Sequence, residues 1–297
     1  MDVSPQAQTL ELRGRPAAYW RILGPEGAPR LLLLHGLGAS SHIWRPLVRA
    51  LPAGLEVLAV DLPGAGATAA HGELGPPELA QFALDMMDAL DVQRVDVVAG
   101  HSLGGAVALE LGLLAPARVG GLMIFNAAPA LPLLARLGLR APGVQRLLAL
   151  PELAPRAKAP TRLFTQLYLS AIFGERRTVS DEVIEGYAQL ADAPDFYRNM
   201  AATLAGFAKH SRSLEELQRL AMPASVVWGE RDPLFPIGLG ERLVRTLPQA
   251  AMHRLPRVGH CPPQEAPTAV ATLVMELVSR VRRADVLPSR AAPHARP

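Results

Sequence analysis

The stretch Gly100-His101-Ser102-Leu103-Gly104 constrains this chain more than any other, because it joins the apolar run Val95 to Ala99 to a small-residue run, Leu103 to Leu114, that reads as a helix. A G-x-S-x-G pentapeptide at a strand-to-helix junction makes a turn so tight that the serine takes strained backbone angles and presents its hydroxyl. Glycines are needed on both sides, since a Cβ two residues before or after the serine would collide as strand and helix fold back on each other. The rest of the chain must supply a sheet to hold the corner and partners to activate the hydroxyl.

The flanking segments supply the sheet. Leu31 to Leu34, Leu55 to Val60 and Val119 to Phe125 are continuous apolar runs, the pattern of strands covered on both faces in a parallel sheet. Helical stretches lie between them: Ser41 to Leu51, and Pro77 to Leu90 with Leu79, Phe82, Ala83, Met86, Met87 and Leu90 at helix spacing. Thr9 to Leu12 and Ala17 to Leu23, split by Arg13-Gly14-Arg15-Pro16, predict an antiparallel hairpin at the sheet edge. The alternation predicts an α/β fold built on a doubly wound, mostly parallel sheet with right-handed crossovers. Ligands of such sheets bind beyond the carboxyl ends of the strands. His35, Asp61, Ser102 and Asn126 each follow a strand end, so they are expected on one rim.

From about Ala130 to Met222 the strand–helix rhythm stops, and prolines at 132, 142, 151, 155, 160 and 194 break the segment into helices. This predicts a helical cap over 130–222, inserted after the sixth strand between core segments 1–129 and 223–283. The sheet resumes with Ser225 to Trp228 and Met252 to Leu255, around a helix near Gly238 to Leu247. A last helix spans Ala266 to Arg282, and the Pro/Ala/Arg-rich tail 284–297 is expected to be loose.

Composition removes several classes of function. A net charge of +3, with no dense Lys/Arg run interleaved with aromatics, argues against a nucleic-acid partner. The single cysteine, Cys261, rules out an internal disulfide framework and a Cys-rich metal site, and fits a reducing compartment. Met1 to Gln8 carries no basic-then-apolar leader, and no apolar run approaches the roughly 20 residues of a membrane-spanning helix. A cytoplasmic protein without stable membrane insertion is expected.

A serine hydroxyl is a weak nucleophile at neutral pH, so it needs a base within hydrogen-bond reach, a carboxylate to orient that base, and donors for the developing oxyanion. On a strand–turn–helix corner of this kind the chain order is serine, acid, histidine. Of the eight histidines, only His253, His260 and His294 follow the resumed sheet. His253 lies inside a strand and His294 in the tail, whereas His260 in Val258-Gly259-His260 falls at the rim. Asp232, in Gly229-Glu230-Arg231-Asp232-Pro233, comes directly off the preceding strand. Glu230 sits too near that strand and Asp285 lies beyond the last helix, while Asn126, at the end of the strand closing on Phe125, cannot carry charge. The expected oxyanion donors are the backbone N–H groups of Leu103, at the positive end of its helix, and of Leu37 in His35-Gly36-Leu37-Gly38. His35 is expected to hydrogen-bond within its loop, His101 to pack behind the corner, and Asp61 to brace its turn.

Together, His35-Gly36-Leu37-Gly38, Asp61-Leu62-Pro63-Gly64-Ala65-Gly66, Gly100-His101-Ser102-Leu103-Gly104-Gly105, Gly229-Glu230-Arg231-Asp232 and Gly259-His260 with Glu265-Ala266-Pro267 behind resemble the α/β-hydrolase fold superfamily, in its capped, serine esterase/lipase-like branch. The resemblance covers about Leu31 to Val281. It implies ester-type hydrolysis through an acyl-enzyme, with no cofactor and no metal, in a pocket roofed by the inserted helices. Relatives often carry a histidine where this chain has Ala65. Serine rather than aspartate at position 102 argues against the dehalogenase and epoxide-hydrolase branches.

The expected function is therefore hydrolysis of a carboxylic ester, thioester or lactone of a largely apolar small molecule by Ser102, His260 and Asp232. Gly36, Trp44, Phe164 and Tyr168 are the candidate substrate-binding residues, with packing at the start of its helix the competing role for Trp44. Two other readings remain open: hydrolysis of a carbon–carbon bond in a vinylogous diketone of the meta-cleavage-product type, and a non-catalytic ligand-binding or accessory role on the same fold. Between Arg136 and Arg177 eight basic residues (Arg136, Arg140, Arg146, Arg156, Lys158, Arg162, Arg176, Arg177) face only Glu152 and Glu175. They form a solvated basic face or a docking surface for an anionic carrier protein or a membrane surface.

Overall fold

The computed structural model describes residues 6–130, 161–193, 195–210 and 212–286, and its strands join in one sheet. They are β1 (Gln8–Leu12), β2 (Arg15–Ile22), β3 (Arg30–Leu34), β4 (Glu56–Val60), β5 (Val95–His101), β6 (Val119–Phe125), β7 (Ala224–Gly229) and β8 (Ala250–Leu255). The helices are α1 (Arg45–Ala50), α2 (Pro76–Ala89), α3 (Leu103–Leu114), α4 (Thr161–Ile172), α5 (Asp181–Ala191), α6 (Phe196–Lys209), α7 (Leu214–Leu217), α8 (Ile237–Thr246), α9 (Pro262–Glu265) and α10 (Pro267–Val286).

The strand order is β1-β2-β4-β3-β5-β6-β7-β8. The β1–β2 hairpin and the β2–β4 pair are antiparallel, and every later pairing is parallel. The hairpin turns at Arg13 and Gly14, both with positive φ, a pair of angles that matches the twist of the strands it joins.

Strand alternation explains why the parallel strands read as unbroken apolar runs. Leu32 and Leu34 of β3, Val98 of β5, and Leu122 and Ile124 of β6 enter a core completed by α2, α3 and α8. Leu31, Leu33, Val97, Ala99, Met123 and Phe125 enter a second core, completed by Leu47 of α1 and by Val270, Val274, Leu277 and Val281 of α10. Each fully buried aliphatic side chain contributes on the order of 2 kcal/mol. Burial on both faces makes the sheet a rigid support for the loops at its carboxyl ends.

The helices α4 to α6 fall between β6 and β7, so the chain leaves the sheet after its sixth strand for a helical excursion. Residues 131–160 lie outside the described residues, and with them Arg136, Arg140, Arg146, Arg156, Lys158 and Glu152 of the basic face. Of its remaining members Arg162 pairs with Asp181 and Arg177 with Glu175. The last helix runs further than expected, to Val286, so residues 284–286 of the expected tail are helical. Asp285 pairs with Arg94 at 2.8 Å and Arg282 with Asp96 at 3.0 Å, which ties this last turn to the strand edge. The remainder of the tail, 287–297, lies outside the described residues. No described helix is long and apolar enough to cross a membrane.

Candidate active site

Ser102 has φ 53° and ψ −117°, the strained corner its sequence context calls for. Its N–H donates to Phe125 O at 2.9 Å, so the β5–β6 ladder continues into the corner and holds it. A Cβ on Gly100 would lie 2.1 Å from Gly104 O, the expected collision of strand with helix. A Cβ on Gly104 would instead lie 2.1 Å from Leu34 O, because α3 starts directly over the end of β3. The second glycine thus answers to the neighbouring strand rather than to the one entering the corner.

The rim brings together three side chains from distant parts of the chain. The Ser102 hydroxyl donates to His260 Nε2 at 3.1 Å, and His260 Nδ1–H donates to Asp232 Oδ2 at 2.8 Å. Asp232 hangs from the turn after β7 and His260 from the loop after β8, and their side chains are only 1% and 5% exposed. Asp232 Oδ1 accepts the N–H groups of Leu234 and Phe235 at 2.8 and 3.1 Å. Burial by itself would raise the aspartate pKa. The hydrogen bond and charge of His260, together with the Asn126 amide and the Phe235 N–H, outweigh it and hold the carboxyl below its ordinary value.

Asn126 is a functional candidate that the sequence disguised. Disqualified as an acid, it is fully buried and donates from Nδ2 to Asp232 Oδ2 at 2.6 Å, while its Oδ1 accepts Gly229 N–H at 3.1 Å. A polar residue at the end of β6, with positive φ and adjacent to the acid's strand, is the signal that marks it.

His101 donates from Nε2 to the backbone oxygen of His260 at 2.8 Å. Burial, followed by the neighbouring His260, lowers its pKa to about 3, so it stays neutral and acts as a clasp. His35 accepts Leu62 N–H at Nε2 and donates from Nδ1 to Gly36 O, joining two rim loops. Asp61 accepts Ser41 N–H at 2.8 Å and Ala67 N–H at 3.3 Å, bracing its own turn. Burial raises the Cys261 thiol pKa well above its usual value, which leaves the sulfur an inert neighbour of His260.

Leu37 and Leu103 line one narrow cleft, and among the described residues neither N–H donates to a backbone carbonyl. Gly36 lets the two loops meet, for a Cβ there would come within 2.9 Å of His101 Nδ1 and 3.1 Å of Ser102 Cβ. The cleft has room for about 30 Å³, and Leu62, Leu79, Phe196 and Met200 give it apolar walls.

The proposed substrate contacts divide. Gly36 lines the cleft. Tyr168 on α4 is 51% exposed and does not line the cleft, and partial desolvation, followed by Cys261 and Asp232, pushes its phenol pKa up to about 12. Phe164, on the same helix, is 61% exposed and does not line the cleft. Of the two roles expected for Trp44, packing is the one observed. The 3-10 turn Ser41–Trp44 lays its indole on the sheet, fully buried against Phe125 with ring centroids 5.9 Å apart, so it is core and not a wall of the site.

Residues 31–273 match the family model described as the alpha/beta hydrolase family. The chain is 32% identical over 266 residues to the dihydrolipoyllysine-residue acetyltransferase component of the acetoin cleaving system of Pseudomonas putida, an alignment covering 88% of this chain and 66% of that protein. It is 31% identical over 258 residues to the pimeloyl-(acyl-carrier protein) methyl ester esterase of Aromatoleum aromaticum, covering 84% and 98% of the two. A thermophilic esterase from Thermogutta terrifontis shares the fold with a TM-score of 0.76 at 23% identity, over 93% of this chain and 99% of that one.

Proposed function

The chain belongs to the alpha/beta hydrolase family, and on that premise we propose that it is a serine hydrolase cleaving a carboxylic ester of a largely apolar small molecule. The observation that carries this reading is the unbroken relay from Ser102 Oγ through His260 to Asp232, at 3.1 and 2.8 Å. Asp232 fixes the imidazole with its proton on Nδ1, leaving Nε2 free to accept. Ser102 Oγ attacks the ester carbon as its proton passes to His260 Nε2. The resulting oxyanion takes the free N–H groups of Leu37 and Leu103, each of which is worth roughly 3 to 4 kcal/mol in the transition state. His260 then returns the proton to the departing alcohol, and water repeats the sequence on the acyl-enzyme.

The apolar cleft beside these amides favours a small hydrocarbon group on the substrate. Thioesters and lactones present the same carbonyl chemistry and belong to the same proposal.

Ser102→Ala should lower turnover of short p-nitrophenyl esters by about 10⁴-fold or more while leaving the fold intact. Turnover near the wild-type rate in that variant would remove Ser102 from the mechanism. Faster reaction of the wild type with a vinylogous diketone than with any ester would replace the ester assignment with carbon–carbon bond hydrolysis. No turnover of either would favour an accessory role.

A further inference from the structure

Glu265 ends the one-turn helix α9, five residues after His260, and all its hydrogen-bond donors are backbone amides. Its Oε2 accepts Gly174 N–H at 2.7 Å and Gly259 N–H at 2.9 Å, and its Oε1 accepts Cys261 N–H at 2.9 Å. Two of these amides belong to the residues on either side of His260. The third lies just past the end of α4, in the helical excursion.

The junction is tight on both sides. His260 N–H donates to Ile172 O, the last residue of α4, at 2.8 Å. A Cβ on Gly259 would lie 2.3 Å from Ile172 O, and one on Gly174 would lie 2.2 Å from Arg257 O. The two backbones therefore touch with no side chain between them, and Glu265 is a side chain that bonds to both.

We propose that Glu265 is a positioning residue for the hydrolysis: its carboxylate ties the His260 loop to the end of α4 and so keeps the imidazole in line with Ser102 and Asp232. The proposal rests on the reading of His260 as the base. An imidazole that moves a proton first from Ser102 and then to the leaving group tolerates little displacement, and a shift of about 1 Å can cost 100-fold in rate. The loop lies beyond the end of β8, so no sheet ladder holds it. Charge-assisted bonds from three amides to Glu265 join the Ile172 and His101 contacts in that place. Burial raises the pKa of Glu265 above its ordinary value, and the three N–H donors and the nearby His260 only partly oppose the rise. With its oxygens so occupied it does not touch substrate.

Glu265→Gln separates positioning from simple packing, because it keeps the shape but turns one acceptor oxygen into an NH₂ that must face an N–H. In the full-length protein the variant should remain folded, with KM for p-nitrophenyl acetate within about twofold of wild type and kcat lower by about 10- to 100-fold. The low-field proton resonance of His260 Nδ1–H should broaden or disappear. If the Gln variant fails to fold, Glu265→Asp, which keeps the charge but shortens its reach, should give the same split between kcat and KM. A folded Gln variant with kcat within twofold of wild type and an unchanged resonance would overturn the proposal. A wild type lacking turnover would strike instead at the hydrolase reading, and the resonance would still report whether Glu265 holds the histidine.

Discussion

Asp232 receives four hydrogen bonds at its two oxygens, from His260, Asn126, Leu234 and Phe235. Its lowered pKa makes it a source of stability that is fully present above the ordinary aspartate value of 3.8 and is lost as the pH falls through the lower folded value. Removing one donor brings the folded pKa back toward 3.8 and shrinks that contribution. Asn126→Ala is therefore expected to destabilise the protein by about 1–2 kcal/mol at pH 7, and the gap in urea-unfolding free energy should narrow as the pH drops below 3.8. A gap that stays constant across this range would assign the loss to the Gly229 N–H bond and to a second, 3.3 Å bond that Asn126 Nδ2 donates to Gly259 O. The convergence of Ser102, Asp232 and His260 was legible in the sequence because each lies within five residues of the carboxyl end of a strand. The role of Asn126 was not, since its partner Asp232 is 106 residues away; Glu265 stood out as part of a motif, but its tie to Gly174, 91 residues away, did not. Trp44 carried two readings, because a position near the rim does not reveal which way an indole turns, and the packing one is what the buried ring shows.

At the scale of elements, the corner is a three-body arrangement of β5, α3 and β3. Gly104 and Gly112 both lie in α3 and make a controlled pair. A methyl at Gly104 meets the backbone carbonyl of Leu34 at 2.1 Å, which cannot move without breaking the β3 ladder, whereas one at Gly112 meets a Leu220 methyl at 2.9 Å. Gly104→Ala should destabilise by about 3 kcal/mol or more. Gly112→Ala should stay within about 1 kcal/mol, since the gain in helix propensity offsets a small shift of a side chain. Urea midpoints of the two variants give the comparison, and equal values would mean the corner has slack. The strands and helices themselves were legible from apolar runs and helix spacing. The extra turn of α10 was not: its Asp285 pairs with Arg94, a contact far away along the chain that local composition does not show.

Across the whole molecule, two apolar cores hold one sheet from both faces, and the residues that meet at its rim come from loops after β3, β4, β5, β6, β7 and β8. The order of strands in the sheet was only partly legible, since chain order shows alternation but not which strand lies beside which. The chemistry proposed for the rim depends on Ser102 being activated in the folded chain. Intact-mass analysis of the full-length protein treated with a fluorophosphonate tests this most directly, with peptide mapping to locate the adduct. The expected result is a single adduct on Ser102, absent in Ser102→Ala and formed at least about 10³-fold more slowly in His260→Ala. A cooperatively folded wild type that gains no adduct, or gains it at another residue, would contradict the assignment.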